Sequence, residues 1–264
     1  MIQQEFALKA AATVKTDSSV IGLAVAGSWL TAELDEYSDL DLILATKEKV
    51  AGDKTRMLSY AQKFGELLTG FTGEHVGEPR LLICLYKNPL LHVDIKFLTV
   101  EEFGKRIETP VILADTDNQL QAALDNSQAK FPYPEYQWIE DRFWIWVHYA
   151  LLKIGRGEYF EAYDSLGFLR TLVFGPLLHI KNGNLPRGVR KVETQLTAAD
   201  LVALKETLAE YEKMSLLNAF ESCVKLYRAL RNDLFDKKVM LQKGAELQVL
   251  NFMEQIKQKK PQGF

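Results

Sequence analysis

The chain has 264 residues, enough for two modest domains that each build a core. Hydrophobic residues make up 47% and charged residues 25%, and the formal net charge is −3, so no overall field draws the chain to nucleic acid or to an anionic membrane. Cys84 and Cys223 stand singly in apolar runs, which argues against a disulfide framework and against a Cys/His zinc site.

The N-terminal stretch lacks a basic segment leading into an apolar one, and no run reaches ~18 uninterrupted apolar residues, so a cytoplasmic protein with no membrane partner is expected. Residues 3–16 read as a helix. Val20–Ala26 is a short apolar strand that stops at Gly27-Ser28, and Trp29–Leu34 has the length of a short helix. Asp39–Ala45 is a strand rich in Leu and Ile, and Thr55–Leu68 is an amphipathic helix. Arg80–Tyr86 and Leu91–Leu98 are strands joined by the turn Lys87-Asn88-Pro89. That order predicts a small mixed sheet with helices on one face.

Beyond Phe131-Pro132-Tyr133-Pro134 the pattern turns helical over Trp138–Ile154, Tyr159–Ile180, Ala198–Met214 and Leu217–Leu234, with stops at Gly155, Gly157 and Lys181-Asn182-Gly183-Asn184. The expected fold is α/β in the α+β sense: a small mixed-sheet domain over residues 1–130, followed by an all-helical domain over residues 131–264. The tail Lys257–Phe264 is expected to fray.

The most informative passage is Asp39-Leu40-Asp41-Leu42-Ile43-Leu44. In a strand Asp39 and Asp41 share one face while Leu40 and Leu42 point into the core. Like charges this close repel, and a divalent cation is the direct remedy; magnesium commonly sits between one or two carboxylates and substrate phosphates. A solvated strand edge with two stray aspartates would read the same way. Asp94, which interrupts the apolar strand Leu91–Leu98, joins the cluster if the two strands are neighbours. Acids on core-forming strands are costly to keep without a purpose. Such a set suits phosphoryl or nucleotidyl transfer, in which positioning and charge neutralisation do most of the work; Asp94 is then either a further metal ligand or the proton acceptor.

Gly27-Ser28 ends the first strand. Glycine permits a tight turn and close backbone approach, and the Ser28 hydroxyl either meets an anion or caps the following turn. Gly27-Ser28, a spacer of about ten residues, Asp39 and Asp41 on a strand, and Asp94 on a later strand together resemble the nucleotidyltransferase superfamily that includes DNA polymerase beta. The match covers the first hundred residues or so. Tyr37-Ser38-Asp39-Leu40-Asp41-Leu42, Phe143-Trp144, Lys153-Ile154-Gly155-Arg156-Gly157-Glu158 and the helical second half are similar to bacterial lincosamide and aminoglycoside nucleotidyltransferases.

The resemblance implies ATP or another nucleoside triphosphate at Gly27 and Ser28, and Mg2+ on Asp39 and Asp41, with Asp94 as a third ligand or as base. It also places Lys153 on the phosphates. A hydroxyl of a small molecule, a lincosamide or aminoglycoside antibiotic, would take the nucleoside monophosphate and release pyrophosphate. The same chemistry on a protein or a metabolite is one alternative, and a nucleotide-binding regulator without catalysis is another. A nucleic-acid partner is not expected. Some relatives complete their sites across a dimer, so a homodimer is admissible.

Arg142, Trp146, Tyr149, Lys153 and Arg156 fall on one stripe of the helix Trp138–Ile154, which is either a phosphate- and base-facing surface or a solvated basic face. Glu140, Asp141 and His148 read as surface or satisfied polar residues, or else as acceptor contacts or the base. The isolated His75, His92 and His179 show no metal-ligand spacing.

Overall fold

A computed structural model describes residues 1–31 and 33–259. The chain divides into two compact units, Met1–Phe131 and Pro132–Phe264. The first contains α1 (Ile2–Val14), β1 (Val20–Val25), a 3-10 turn (Gly27–Trp29), β2 (Leu40–Thr46), α2 (Lys54–Ala61), β3 (Glu66–Gly73), β4 (Glu78–Lys87), β5 (Leu91–Leu98), α3 (Val100–Phe103), β6 (Val111–Asp115) and α4 (Gln119–Asp125). Its six strands form one mixed sheet in the order β3-β4-β5-β2-β1-β6, with β2 and β5 parallel and the other pairs antiparallel.

Strand alternation sorts the residues between two faces. Leu40, Leu42 and Leu44 of β2 and Leu91, Val93, Ile95 and Phe97 of β5 are buried with Phe6, Ala7, Ala10 and Val14 of α1 and Met57, Tyr60 and Ala61 of α2. On the opposite face Ile21, Ala24, Ala45 and Leu98 pack with Phe103 of α3 and Leu120 of α4. Helices therefore cover both faces of the sheet, not one. The second face is covered around Ala45 and Leu98, toward the ends of β2 and β5. Asp41, His92 and Asp94 lie nearer the starts of those strands, only half-buried or exposed.

The local pattern departs from the tertiary result at several places. The helix expected over Thr55–Leu68 stops at Ala61, and Leu67 and Leu68 enter β3, where Leu67 pairs with Tyr86 of β4. Cross-strand pairing overrides local preference there. The edge strands β3 and β6 carry no clear alternation of their own. In place of a helix over Trp29–Leu34 there is a 3-10 turn, whose Trp29 packs on the α1–α2 core.

The second unit is helical: α5 (Tyr136–Arg156), α6 (Tyr159–Leu169), a π segment (Arg170–Phe174), α7 (Gly175–Lys181), α8 (Val192–Gln195), α9 (Ala198–Lys205), α10 (Lys213–Leu234) and α11 (Lys243–Gln258). Its core centres on Phe143, Trp144, Phe174, Phe220 and Tyr227, with the Phe143 and Tyr227 rings stacked at 3.7 Å. The run expected as Tyr159–Ile180 passes through the π segment just before Pro176, which has no N–H to donate to the preceding turn. The run expected as Ala198–Met214 breaks after Lys205, and the Glu212 side chain caps the start of α10 by accepting from Ser215 N at 2.7 Å. The C-terminal α11 was not anticipated; Val249, Met253 and Ile256 anchor it. Lys257 and Gln258 belong to it, whereas residues 260–264 of the expected frayed tail lie outside the described residues. Among the described residues no helix is long and apolar enough to cross a membrane.

Candidate active site

In the parallel ladder of β2 and β5, Asp41 stands directly opposite Asp94. Neighbouring strands are about 4.8 Å apart, and both acids point away from the α1–α2 core, so the two carboxylates share one small patch of the second sheet face. This is the repulsive pairing inferred from the strand pattern, now between strands instead of along one. The Asp94 side chain is 21% exposed and is held by His92 two residues earlier on the same face, Nε2 to Oδ1 at 2.9 Å. Cys84 of β4 lies opposite Val93; burial pushes its thiol up to about 12, with the negative charge of Asp94 as the second cause.

Lys96, two residues beyond Asp94, is taken up by Glu78 at 2.8 Å. Arg80 also holds Glu78, Nε to Oε1 at 2.7 Å. The Arg80 hydrogen bond, then Lys96, keeps the Glu78 carboxyl at about 2.

The Gly27 turn is built onto this patch. Val25 pairs with Leu42, Ala26 N donates to Asp41 O at 3.0 Å, and the chain then turns at Gly27 with φ +63. A Cβ at Gly27 would overlap Asp41 Oδ2. Glycine is thus required for the left-handed backbone and for the close approach to the carboxylate. Gly27 N–H donates to Glu108 Oε1 at 2.9 Å, bringing in an acid from the connection between α3 and β6. Ser28 lies within the 3-10 turn, and its carbonyl accepts from Glu33 N at 3.3 Å.

Asp39 stands one residue before β2 and is half-buried. The loop leading to it is tied to α1 by Gln3, whose buried side chain donates to Asp35 O at 2.9 Å and Ser38 O at 2.8 Å. Among the described residues no group of three or more His, Cys, Asp or Glu side chains is gathered closely enough to hold a metal ion. The Asp41–Asp94 pair nonetheless offers the hard oxygen donors that magnesium takes from a protein when phosphates and waters complete its shell. The donor set fits that ion, with Asp39 alongside.

Lys153 belongs to α5, in the helical unit. Its Nζ lies 2.8 Å from Glu158 Oε2 and 2.6 Å from Glu161 Oε2, and these two partners raise its pKa above the ordinary lysine value. Arg142 stacks on Trp138 at 4.4 Å, Tyr149 donates to Glu161 at 2.8 Å, and Arg156 lies 3.8 Å from Glu158. Two of the three basic residues of the stripe, Lys153 and Arg156, are therefore matched by the acids at the start of α6. Trp146, Tyr149, Glu161, Asp164 and Phe168 line a cavity of about 310 Å³ beside it.

The chain is similar in structure to an aminoglycoside 6-adenyltransferase from Bacillus subtilis. The match covers 97% of this chain and 99% of the other, at 13% identity and a TM-score of 0.42, and at that level it carries no argument about substrate or mechanism. No protein-family model matches the chain, and no curated protein matches it significantly.

Of the residues singled out from the sequence, the structure brings Gly27, Asp41 and Asp94 together, with Ser28 and Asp39 adjoining them in the chain. It does not gather Asp39, Asp41 and Asp94 into a preformed three-ligand cage. Sequence reasoning missed His92, Gln3 and Glu108. His92 had a signal, its place two residues before Asp94 in an alternating strand. Gln3 and Glu108 had none, since each reaches its partner through tertiary contact alone.

Proposed function

We propose that the chain is a nucleotidyltransferase that moves a nucleoside monophosphate from a nucleoside triphosphate, ATP as the first candidate, to a hydroxyl of a small molecule. The observation that carries this reading is the pairing of Asp41 with Asp94 directly beside the Gly27 turn. A close pair of carboxylates packed against a glycine turn suits the reaction's two needs, which are charge neutralisation and positioning.

In the reaction the acceptor oxygen forms a bond to the α-phosphorus, and the bond from that phosphorus to the bridging oxygen breaks. Pyrophosphate leaves with the electron pair, and the hydroxyl proton passes to a carboxylate. Asp41 and Asp39, joined by Asp94 if it is not the proton acceptor, would hold magnesium, which would supply the positive charge that the phosphates require. Asp94 serves either as ligand or as proton acceptor, and His92 fixes the carboxylate's orientation in both cases. The part given to Lys153 rests on the resemblance, and its ion pairs with Glu158 and Glu161 would have to be exchanged for phosphate.

The acceptor we favour is a lincosamide or aminoglycoside antibiotic. Incubation with each labelled triphosphate and a panel of such drugs, followed by mass spectrometry for the nucleotide adduct, tests the whole reading. Asp41→Asn should lower turnover by about three orders of magnitude while the fold survives, because relieving acid–acid repulsion costs no packing. Asp94→Asn separates its two roles. As a base, its loss slows the chemical step by about two to four decades with magnesium affinity kept; as a ligand, affinity falls with the rate. Near-wild-type turnover in Asp41→Asn would reject the assignment. Lack of any drug adduct, with triphosphate still consumed, would reject only the antibiotic.

A further inference from the structure

Across the sheet, the register of β4 and β3 continues the line of the carboxylate pair into an apolar row. Ile83 of β4 stands opposite Asp94, and Phe71 of β3 stands opposite Ile83. In the next row Leu85 stands opposite His92, and Thr69 opposite Leu85. Paired residues share a face, so these side chains lie on the same side of the sheet as Asp41 and Asp94. Ile83 and Leu85 are only half-buried and belong to neither core of the sheet unit. Phe71 is 46% exposed, with its ring 5.6 Å from that of His75. An apolar patch rimmed by polar groups is a surface that a ligand with an apolar face covers.

The strand order says which ligand that is. The Gly27 turn follows β1, on one side of Asp41, whereas Ile83 and Phe71 lie beyond Asp94 on the other. In-line displacement puts the attacking and leaving oxygens on opposite sides of the reacting phosphorus. With the polyphosphate at the Gly27 turn, pyrophosphate leaves toward β1, and the attacking hydroxyl comes in over β4 and β3. Phe71 is two strand spacings from Asp94, about 10 Å, so the body of a small acceptor spans the row.

The charges of these two strands do not select a polycation. Glu66 of β3 is paired with Lys87 at 3.1 Å, and Glu78 of β4 with Arg80 at 2.7 Å and Lys96 at 2.8 Å. We infer that Phe71, Ile83 and Leu85 are the acceptor platform, and that the acceptor is a hydroxyl compound with an apolar face, a lincosamide in preference to a polycationic aminoglycoside. This inference rests on the nucleotidyltransferase reading and narrows its acceptor. Phe71 and Ile83 then set acceptor affinity and leave the nucleotide alone.

The test is calorimetric titration of the full chain with a non-hydrolysable ATP analogue plus magnesium, followed by lincomycin or kanamycin with the analogue in place, so that no turnover is needed. Wild type should bind lincomycin more tightly than kanamycin. Phe71→Ala and Ile83→Thr should each weaken lincomycin about five- to tenfold, and Phe71→Leu should restore most of the loss. Affinity for the analogue should stay unchanged in all three. Leu8→Ala trims an exposed apolar residue of α1, the helix on the other face of the sheet, and should change nothing. Unchanged lincomycin affinity in both platform variants overturns the inference, as does an equal loss in Leu8→Ala or tighter binding of kanamycin. Parallel loss of analogue affinity also overturns it, since the row would then belong to the nucleotide. Binding of the analogue with neither drug bound overturns it too, and the nucleotidyltransferase reading survives each of these results. If the analogue itself does not bind, both readings fall.

Discussion

At Gly27 the backbone adopts φ +63 while the space a side chain would fill holds the Asp41 carboxylate; at Gly77, φ +75, nothing lies within 4 Å. The pair of glycines separates conformational strain from site geometry. Gly77→Ala should cost only the left-handed penalty, about 1 kcal/mol, whereas Gly27→Ala adds displacement of Asp41 and should cost roughly 1–3 kcal/mol. Urea midpoints for the two variants check this, and equal losses would mean the Asp41 approach is slack. Under the proposed chemistry Gly27→Ala should also lower magnesium-dependent turnover at least about tenfold, because the displaced carboxylate no longer faces Asp94. At this scale the sequence was informative about identity and side: alternation places Asp41 and Leu42 on opposite faces, and Gly27-Ser28 marks a turn. It was silent on Glu108, because an acid in an irregular connection has no period that could announce its partner.

Among the elements, α5 shows how a helix legible from its period can still hide its most consequential residue. Glu140 is fully buried, a satisfied polar residue and not an acceptor contact. Its carboxylate accepts from Tyr227 Oη at 2.6 Å, Gln242 N at 2.9 Å, Trp144 Nε1 at 3.4 Å and Arg231 Nη1 at 3.5 Å, joining α5 to α10 and to the start of α11. Arg231 also reaches Glu246 at 2.9 Å, and Arg228 reaches the same carboxylate. Removing one partner of a buried charged network leaves the others uncompensated. Glu140→Ala should therefore destabilise the helical unit by about 3–5 kcal/mol, and Glu140→Gln, which still accepts from Gln242 N–H, by less. Chemical denaturation monitored by tryptophan fluorescence would show it. A loss under about 1 kcal/mol for the alanine variant would mean the network only specifies helix register. The 3.6-residue period announced α5; it gave no hint that α10 and α11 would close over Glu140, and α11 itself was missed.

For the whole molecule, the pH response follows from carboxylates in the sheet unit that are held well below their ordinary values. Glu78 is held at about 2, against an ordinary 4.5, by Arg80 first and Lys96 next. Asp17 is held at about 2, against 3.8, by Lys63 first and Ser19 next. Depressed carboxyl groups stabilise the fold fully above their unfolded values, and this stability is lost as pH falls through the folded ones. The expected window of acid destabilisation therefore runs from about 4.5 down to about 2. Melting temperature measured across that window should fall for the wild type and fall less steeply for Glu78→Gln. An identical slope in the variant would show that solvent screening has removed the Glu78 contribution, since Arg80 and Lys96 are each about a third exposed.

The α/β first half, the helical second half and the face on which Asp41 lies follow from the sequence by itself. Each depends on a local period, two residues in a strand and 3.6 in a helix, that side-chain polarity writes directly into the chain. Which strand lies beside which is a different kind of information. A period tells a residue its face and never its neighbour, so only the order β3-β4-β5-β2-β1-β6 puts Asp94 opposite Asp41. The same long-range pairing recruits β3 and β6, whose own patterns are weak, and brings Glu108 to Gly27 across 81 residues of chain. Those contacts are decided by the packing of the whole sheet unit, because each is favourable only once the strands on both sides are already in place.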